Sequence, residues 1–322
     1  MTAAVAPPST TTALALGAAG LSGILVALQQ RVNGALRVDL GDAVLAALVS
    51  FATGLVVVAV VVASRRSSRR ALPLLRSTPW WSRLGGLGGA TLVVAGAAAA
   101  PVIGVALLTV GLVAGQTVGG VLVDRFGLGP GGRHGLTLPR AAGELLCFAA
   151  VGISVSGRGA RAADPLLLVL VVVAGFFISL QQALNGRVRR TTGDAGVATL
   201  VNFVGGTAVL LVLLGGRDLL HPLQIDHWPG WSQWYLYAGG PIGASFVAVA
   251  ATVVRLLGVL RLGLAVVAGQ LVGAVLLDVA LPGGAGLGLA TAVGAALTLV
   301  AVGVSSLPAR SAARRVATGV PG

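Results

Sequence analysis

Two runs of amides carry most of the chemistry available to this chain. Gln29, Gln30 and Asn33 form a QQxxN pattern, and Gln181, Gln182 and Asn185 repeat it 152 residues later, each run being followed at once by a glycine, Gly34 or Gly186. A side-chain amide is uncharged and offers both donors and acceptors, so it suits a neutral, zwitterionic or amphipathic solute better than acid–base work. Residues four apart share a helix face, which makes Gln29 with Asn33 and Gln181 with Asn185 two matching polar patches. Ser50 and Asn202 stand in the helices that follow, and Gln116 and Gln270 occupy equivalent places further along. Gln29, Asn33, Ser50, Gln116, Gln181, Asn185, Asn202 and Gln270 are therefore the candidate solute lining or gate. Structure has its own use for them: the QQxxN amides would cap a helix end broken before Gly34 or Gly186, and Gln116 and Gln270 would bond between helices.

Few other residues have types suited to chemistry. Glu144 is the sole glutamate and lies inside a predicted span, where a carboxyl group can carry a proton in coupled transport. Arg140, one turn earlier, offers it an ion pair at the membrane interface instead. Arg261 falls about one turn inside a predicted helix, where a long side chain can snorkel to the headgroups. Asp42 and Asp194 each follow a glycine just before a helix, a position suited to an N-cap. Asp124 and Asp278 end two later helices and would fix the adjoining loops. His134, His221 and His227 fall in predicted loops without HExxH, nucleophile-elbow or Walker A context, and Cys147 stands alone. An enzyme, a metal site or a cofactor is not expected.

The elements that must position these residues are apolar. Hydrophobic residues make up 56% of the 322, charged residues 10%, and the mean hydropathy is +0.96. One aqueous core could not hide that much apolar surface, so a lipid bilayer is the expected solvent. The 49 glycines fit the same solvent, because transmembrane helices tolerate them and use them for close approach. The formal charge of +13 comes from arginines set between apolar stretches rather than along one face, which argues against nucleic acid as a partner. No basic leader opens the chain, so no cleaved signal peptide is expected. At about 20 apolar residues per crossing, the candidate spans are 13–32, 43–63, 82–100, 103–123, 140–157, 165–184, 196–214, 235–254, 257–277 and 285–306. The expected fold is all-α and integral to the membrane, with five spans in 1–157, five in 158–322 and a linker from Gly157 to Pro165.

Charge gives these spans a direction. With the N-terminus in the cytoplasm, the inner connections hold Arg65, Arg66, Arg69, Arg70, Arg76 and Arg83, then Arg125, Arg133 and Arg140, then Arg187, Arg189 and Arg190, then Arg255 and Arg261, and finally Arg310, Arg314 and Arg315. Only Arg31, Arg37, Arg158, Arg161 and Arg217 fall outside. The positive-inside rule thus favours both termini in the cytoplasm. Five spans per half then place the second half upside down relative to the first. The two halves are related by sequence: residues 28–54 align without gaps to 180–206, and Trp80, Gly85, Gly86, Gly115, Gln116 and Asp124 return as Trp234, Gly239, Gly240, Gly269, Gln270 and Asp278. Inverted repeats of this kind recur in secondary transporters. Trp80, Trp81, Trp228, Trp231 and Trp234 precede spans and suit the headgroup layer. Gly111, Gly115 and Gly119, and Gly269 with Gly273, have the spacing for close helix packing inside the chain or in a homodimer.

The paired QQxxNG segments with the following GDA, phenylalanine and glycine, together with GQTVGGVLVD and GQLVGAVLLD, resemble the YdcZ-like family of the drug/metabolite transporter superfamily. The resemblance covers most of the chain and implies the fused ten-helix form of units that also occur as five-helix proteins. It also implies a solute site in a central cavity between inverted halves. The small multidrug transporters of that superfamily couple through a first-helix glutamate, whereas this chain has Gln29 and Gln30 there. The expected function is a secondary transporter that moves a small metabolite or amphipathic solute across a bacterial cytoplasmic membrane by alternating access. A lipid-binding or scaffold membrane protein is the alternative.

Overall fold

The computed structural model describes residues 10–129, 138–156, 164–219, 222, 223, 225–281 and 288–305. Among them all regular structure is helical: α1 (Thr10–Leu40), α2 (Ala43–Ser64), α3 (Arg66–Ala71), α4 (Gly85–Phe126), α5 (Leu138–Ser156), α6 (Pro165–Thr192), α7 (Ala195–Asp218), α8 (Gly239–Ala280) and α9 (Leu289–Ser305), with short 3-10 segments at Leu72–Ser77, Trp80–Leu84 and Trp231–Ala238. Among the described residues, five stretches are long and apolar enough to cross a membrane: Ala13–Leu40, Ala43–Ser64, Trp80–Val123, Pro165–Thr192 and Ala195–Asp218. Arg133, His134, Arg158, Arg161, His221, Arg310, Arg314 and Arg315 and most of the 157–165 linker lie outside the described residues, as do the side chains of Asp124, Arg140, Glu144, Arg255 and Arg261.

The amide runs lie inside their helices and do not end them. α1 continues through Gly34 to Leu40 and α6 through Gly186 to Thr192, which corrects the expectation of a helix broken after each QQxxN. The reason at Gly34 is packing: a Cβ there would press within 3.1 Å of Ala100 and Pro101. The helix-ending glycines are Gly41 and Gly193, whose φ values of 74° and 71° lie in the left-handed region that glycine enters without a steric penalty. The next helix starts on the aspartate that follows. Asp42 accepts a hydrogen bond from the Leu45 amide at 2.7 Å, and Asp194 accepts one from Val197 at 3.0 Å, the N-cap role expected of them.

A straight helix as long as α4 would span about twice a bilayer core, but α4 is not straight. At Gly104 the backbone is non-helical, with φ 78° and ψ 159°, and Pro101 just before it contributes no amide donor. Neighbours on either side show that the chain doubles back. Before the break, Gly85 lies beside Asn185 near the end of α6, and Ala100 lies beside Gly34 near the end of α1. After it, Gly111, Gly115 and Gly119 run alongside Val171, Gly175 and Ser179 in the same order, parallel to α6. α8 reverses in the same manner. Gly239 and Gly243 meet Asn33 and Gln29 in descending order, whereas Gly269 and Gly273 meet Gly20 and Ile24 in ascending order, so the chain turns between 243 and 265.

The two glycine stripes are filled within the chain. A Cβ on Gly115 would collide with the carbonyl of Val172 on α6, and one on Gly269 with the carbonyl of Gly20 on α1. Close backbone approach of this type supplies the dispersion contact that holds helices together in lipid, where the hydrophobic drive is absent. One fully buried cluster gathers Ala99, Ile103, Leu107, Leu108 and Leu112 of α4 with Val171 and Ala174 of α6 and Ala274 of α8. α2 and α7 pack antiparallel: Asp42 meets Arg217, Phe51 meets Phe203 and Gly206, and Val62 meets Gly196. Helices α5 and α9 pack against each other.

Candidate functional site

The candidate residues assemble into two amide clusters, each seated on glycines from the other half of the chain. In the first, Gln29 and Asn33 of α1 and Ser50 of α2 face Gly239 and Gly243 of α8, where a Cβ would collide with the Asn33 Oδ1 or the Gln29 Nε2. In the second, Gln181 and Asn185 of α6 and Asn202 of α7 face Gly85 and Gly89 of α4. Without side chains at these four glycines, the amides can come up against bare backbone. Asn185 Nδ2 donates to Asn202 Oδ1 at 3.3 Å. The first cluster has no such bond among the described residues: Asn33 is fully buried, and neither its amide atoms nor the Ser50 hydroxyl finds a hydrogen-bond partner. Gln30, also fully buried and unpartnered, lies against Gly96. A buried polar group left without any partner costs about 1–3 kcal/mol, so these amides call for a partner of some kind inside the protein.

Gln116 and Gln270 stand apart from both clusters. The Gln116 backbone carbonyl accepts from the Ser179 hydroxyl at 2.7 Å and its backbone nitrogen lies beside Gly175, at the α4–α6 contact. The Gln270 backbone nitrogen lies beside Gly23 at the α1–α8 contact. Glu144 is on α5, which packs against α9 and α4 rather than beside the amide helices α1 and α6.

The electrostatics of the two ends differ. At the end where α2 finishes and α7 begins, Arg65 and Arg189 line one cleft, α3 adds Arg66, Arg69 and Arg70 in sequence, and Ser68 donates to Asp194 at 3.0 Å. Arg187 stacks over Trp81 at 4.9 Å and donates to the carbonyls of Leu128 and Gly127 at 2.5 and 2.7 Å, which ties the end of α6 to the end of α4. At the opposite end Arg217 pairs with Asp42, and Asp39 accepts from Gln233 at 2.8 Å. Trp80, Trp231 and Trp234 are exposed, as headgroup-facing rings would be, whereas Trp81 is partly covered.

Three features escaped the sequence. Gly89 and Gly243 carry the amide contacts one turn beyond the repeated Gly85 and Gly239, and the only signal for them was a shared glycine at an offset of 154. Asp278 does more than finish a helix: it accepts from Val105 at 3.0 Å and Ala106 at 2.8 Å, capping the helix that starts after Gly104. Lastly, a cavity of about 500 Å³ lies between α2, α7 and α8, lined by Val58, Val62, Arg65, Arg189, Asp194 and Ala244 among others. Identity of Arg37 and Arg189 in the aligned repeats did not point to it.

Residues 14–153 and 166–305 each match the sequence profile of one family, described as "Putative inner membrane exporter, YdcZ". A solved crystal structure, described only as that of a protein, is similar over 94% of this chain and 99% of its own, with a TM-score of 0.55 and 24% identity. That likeness concerns the fold. No curated protein matches the chain.

Proposed function

This chain belongs to the YdcZ family of inner-membrane exporters, and we propose that it is a secondary transporter moving a small metabolite or amphipathic solute by alternating access. In this proposal ten spans form two inverted five-helix repeats with both termini in the cytoplasm. Inversion draws support from α2 and α7, which are aligned in sequence yet run antiparallel where they touch. The observation that carries the mechanism is the exchange of partners between halves, with Asn33 seated on Gly239 and Asn185 on Gly85. Two contacts related in this way can open alternately, each sealing one side while the other parts. Gln29, Asn33, Ser50, Gln181, Asn185 and Asn202 are then the gate, and Gln116 and Gln270 line the route at the α4–α6 and α1–α8 contacts. Glu144 is the proposed proton carrier where flux is coupled.

A thermal-shift screen of metabolites on the purified chain, followed by flux of the hits into liposomes, tests the function. Saturable, gradient-dependent flux that falls in Gln116→Leu/Gln270→Leu at normal abundance supports a carrier; binding without solute movement refutes it. Topology is tested by cysteine labelling: Arg65→Cys and Arg187→Cys, each made in Cys147→Ala, should react from the same side. An unchanged pH response of flux in Glu144→Gln would remove the carboxyl group from coupling.

A further inference from the structure

We propose that the cavity between α2, α7 and α8 binds an amphipathic anion, its aliphatic body along Val58 and Val62 and its acidic head between Arg65 and Arg189. The volume of about 500 Å³ falls within the usual range for small-molecule sites, about 300–1,000 Å³. Its wall is aliphatic: four valines on successive turns of α2, with Ala244 of α8 opposite. The hydroxyls lining it already donate to their own helices, Thr199 to Ala195 and Ser245 to Pro241, each at 2.9 Å. A wholly polar solute would therefore find few free donors along this wall and would lose part of its hydration there.

The polar end of the cavity is cationic. Arg65 stands at the C-cap of α2 and Arg189 in the last turn of α6, one from each half. Among the described residues, neither guanidinium pairs with an acid. Asp194, the acid in the lining, is occupied by the Val197 amide and the Ser68 hydroxyl. Arg66 and Arg70 of α3 are exposed and stand outside the lining. A planar guanidinium binds a carboxylate or phosphate in charge-assisted pairs, so an acid head on an aliphatic chain satisfies both ends of the cavity. A solute from the cytoplasm and an anionic lipid both have that chemistry. The proposal names a substrate class for the transporter proposed above, and in that sense rests on it.

The test is equilibrium binding of radiolabelled decanoate to the full chain in phosphatidylcholine nanodiscs, with empty nanodiscs subtracted. Saturable binding should weaken at least about tenfold in Arg65→Gln/Arg189→Gln, which corresponds to losing one or two charge-assisted bonds. The control Arg66→Gln/Arg70→Gln removes the same charge outside the cavity lining and should bind within about twofold of the parent. Equal loss in both doubles, competition by decyltrimethylammonium as strong as by decanoate, or no saturable binding would overturn the site. Displacement of decanoate by phosphatidylglycerol in the nanodisc, with the same arginine dependence, upholds the site and assigns it to lipid. Binding without flux in liposomes upholds the site and refutes the carrier, whereas flux of another solute with no decanoate binding does the reverse.

Discussion

Phe51 of α2 and Phe203 of α7 occupy the same place in the two repeats, and their rings meet at 5.1 Å between centroids, inclined by 40°. A residue that touches its own counterpart marks where the two repeats cross. Beside each ring lies the other repeat's glycine: Gly54 against Phe203 and Gly206 against Phe51. A Cβ on either glycine would collide with an aromatic ring in a buried cluster. Gly54→Ala and Gly206→Ala should each cost about 1–3 kcal/mol from overpacking, read as a lower thermal midpoint in detergent. Gly54→Ala/Phe203→Leu should recover part of the loss, because the smaller side chain vacates the collision. Equal midpoints for the single and double variants would mean that this contact does not limit stability.

Asp278 joins the end of α8 to the start of the helix after Gly104, across 172 residues of sequence. The first amides of a helix have no partner within it, and burial leaves these two no water. Asp278→Ala should lower stability by about 1–2 kcal/mol, with Asp278→Asn falling between Ala and the parent, since its one oxygen keeps one of the two bonds and its nitrogen cannot accept the other. If thermal unfolding shows Asn to be as harmful as Ala, both oxygens are needed and one bond alone does not cap the helix.

These two contacts show what the sequence made legible. Repetition at offsets of 152 and 154 exposed the Phe51/Phe203 and Asp124/Asp278 pairs, and the hydropathy marked the helices that carry them. Identity between repeats reports equivalence, not contact, and nothing in one dimension says that Phe51 faces Phe203 while Asn33 faces Gly239. The break near Gly104 was legible as the gap between the candidate spans 82–100 and 103–123, which holds Pro101, although Gly104 itself was placed within the second span. The run through Gly34 was not, because glycine there serves close packing and its letter is the same as that of the turn-forming Gly41. The cavity was hidden for a third reason. Valines four apart on α2 look alike whether they face lipid, another helix or a cleft.

The Asp42–Arg217 pair invites a contrast between two roles of one carboxylate. Asp42 caps α2 through Leu45 and pairs with an arginine that is 40% exposed. Exposed ion pairs contribute about 0–1 kcal/mol, whereas an N-cap contributes about 1 kcal/mol or more. Arg217→Gln should therefore leave the thermal midpoint nearly unchanged at moderate salt, and Asp42→Ala should lower it. Asp42→Asn should resemble the parent, since the amide oxygen still caps. A large loss in Arg217→Gln would show that the pair carries more than its exposure allows.

Asn33 separates stability from function most sharply. Its amide is fully buried beside Gly239 without a hydrogen-bond partner among the described residues, while Asn185 in the other half reaches Asn202. Replacing an unpaired buried polar group by an apolar one of similar shape removes a desolvation cost of about 1–3 kcal/mol. Asn33→Leu should thus leave the thermal midpoint unchanged or raise it, while flux falls if the amide is part of the gate. Asn202→Ser breaks a formed bond and should lower the midpoint by the equivalent of about 0.5–1.5 kcal/mol. Residues kept at a cost to stability tend to be functional, and paired measurements of midpoint and flux test that directly. If Asn33→Leu lowers the midpoint and leaves flux per folded molecule intact, the amide is a structural element and the first cluster is no gate.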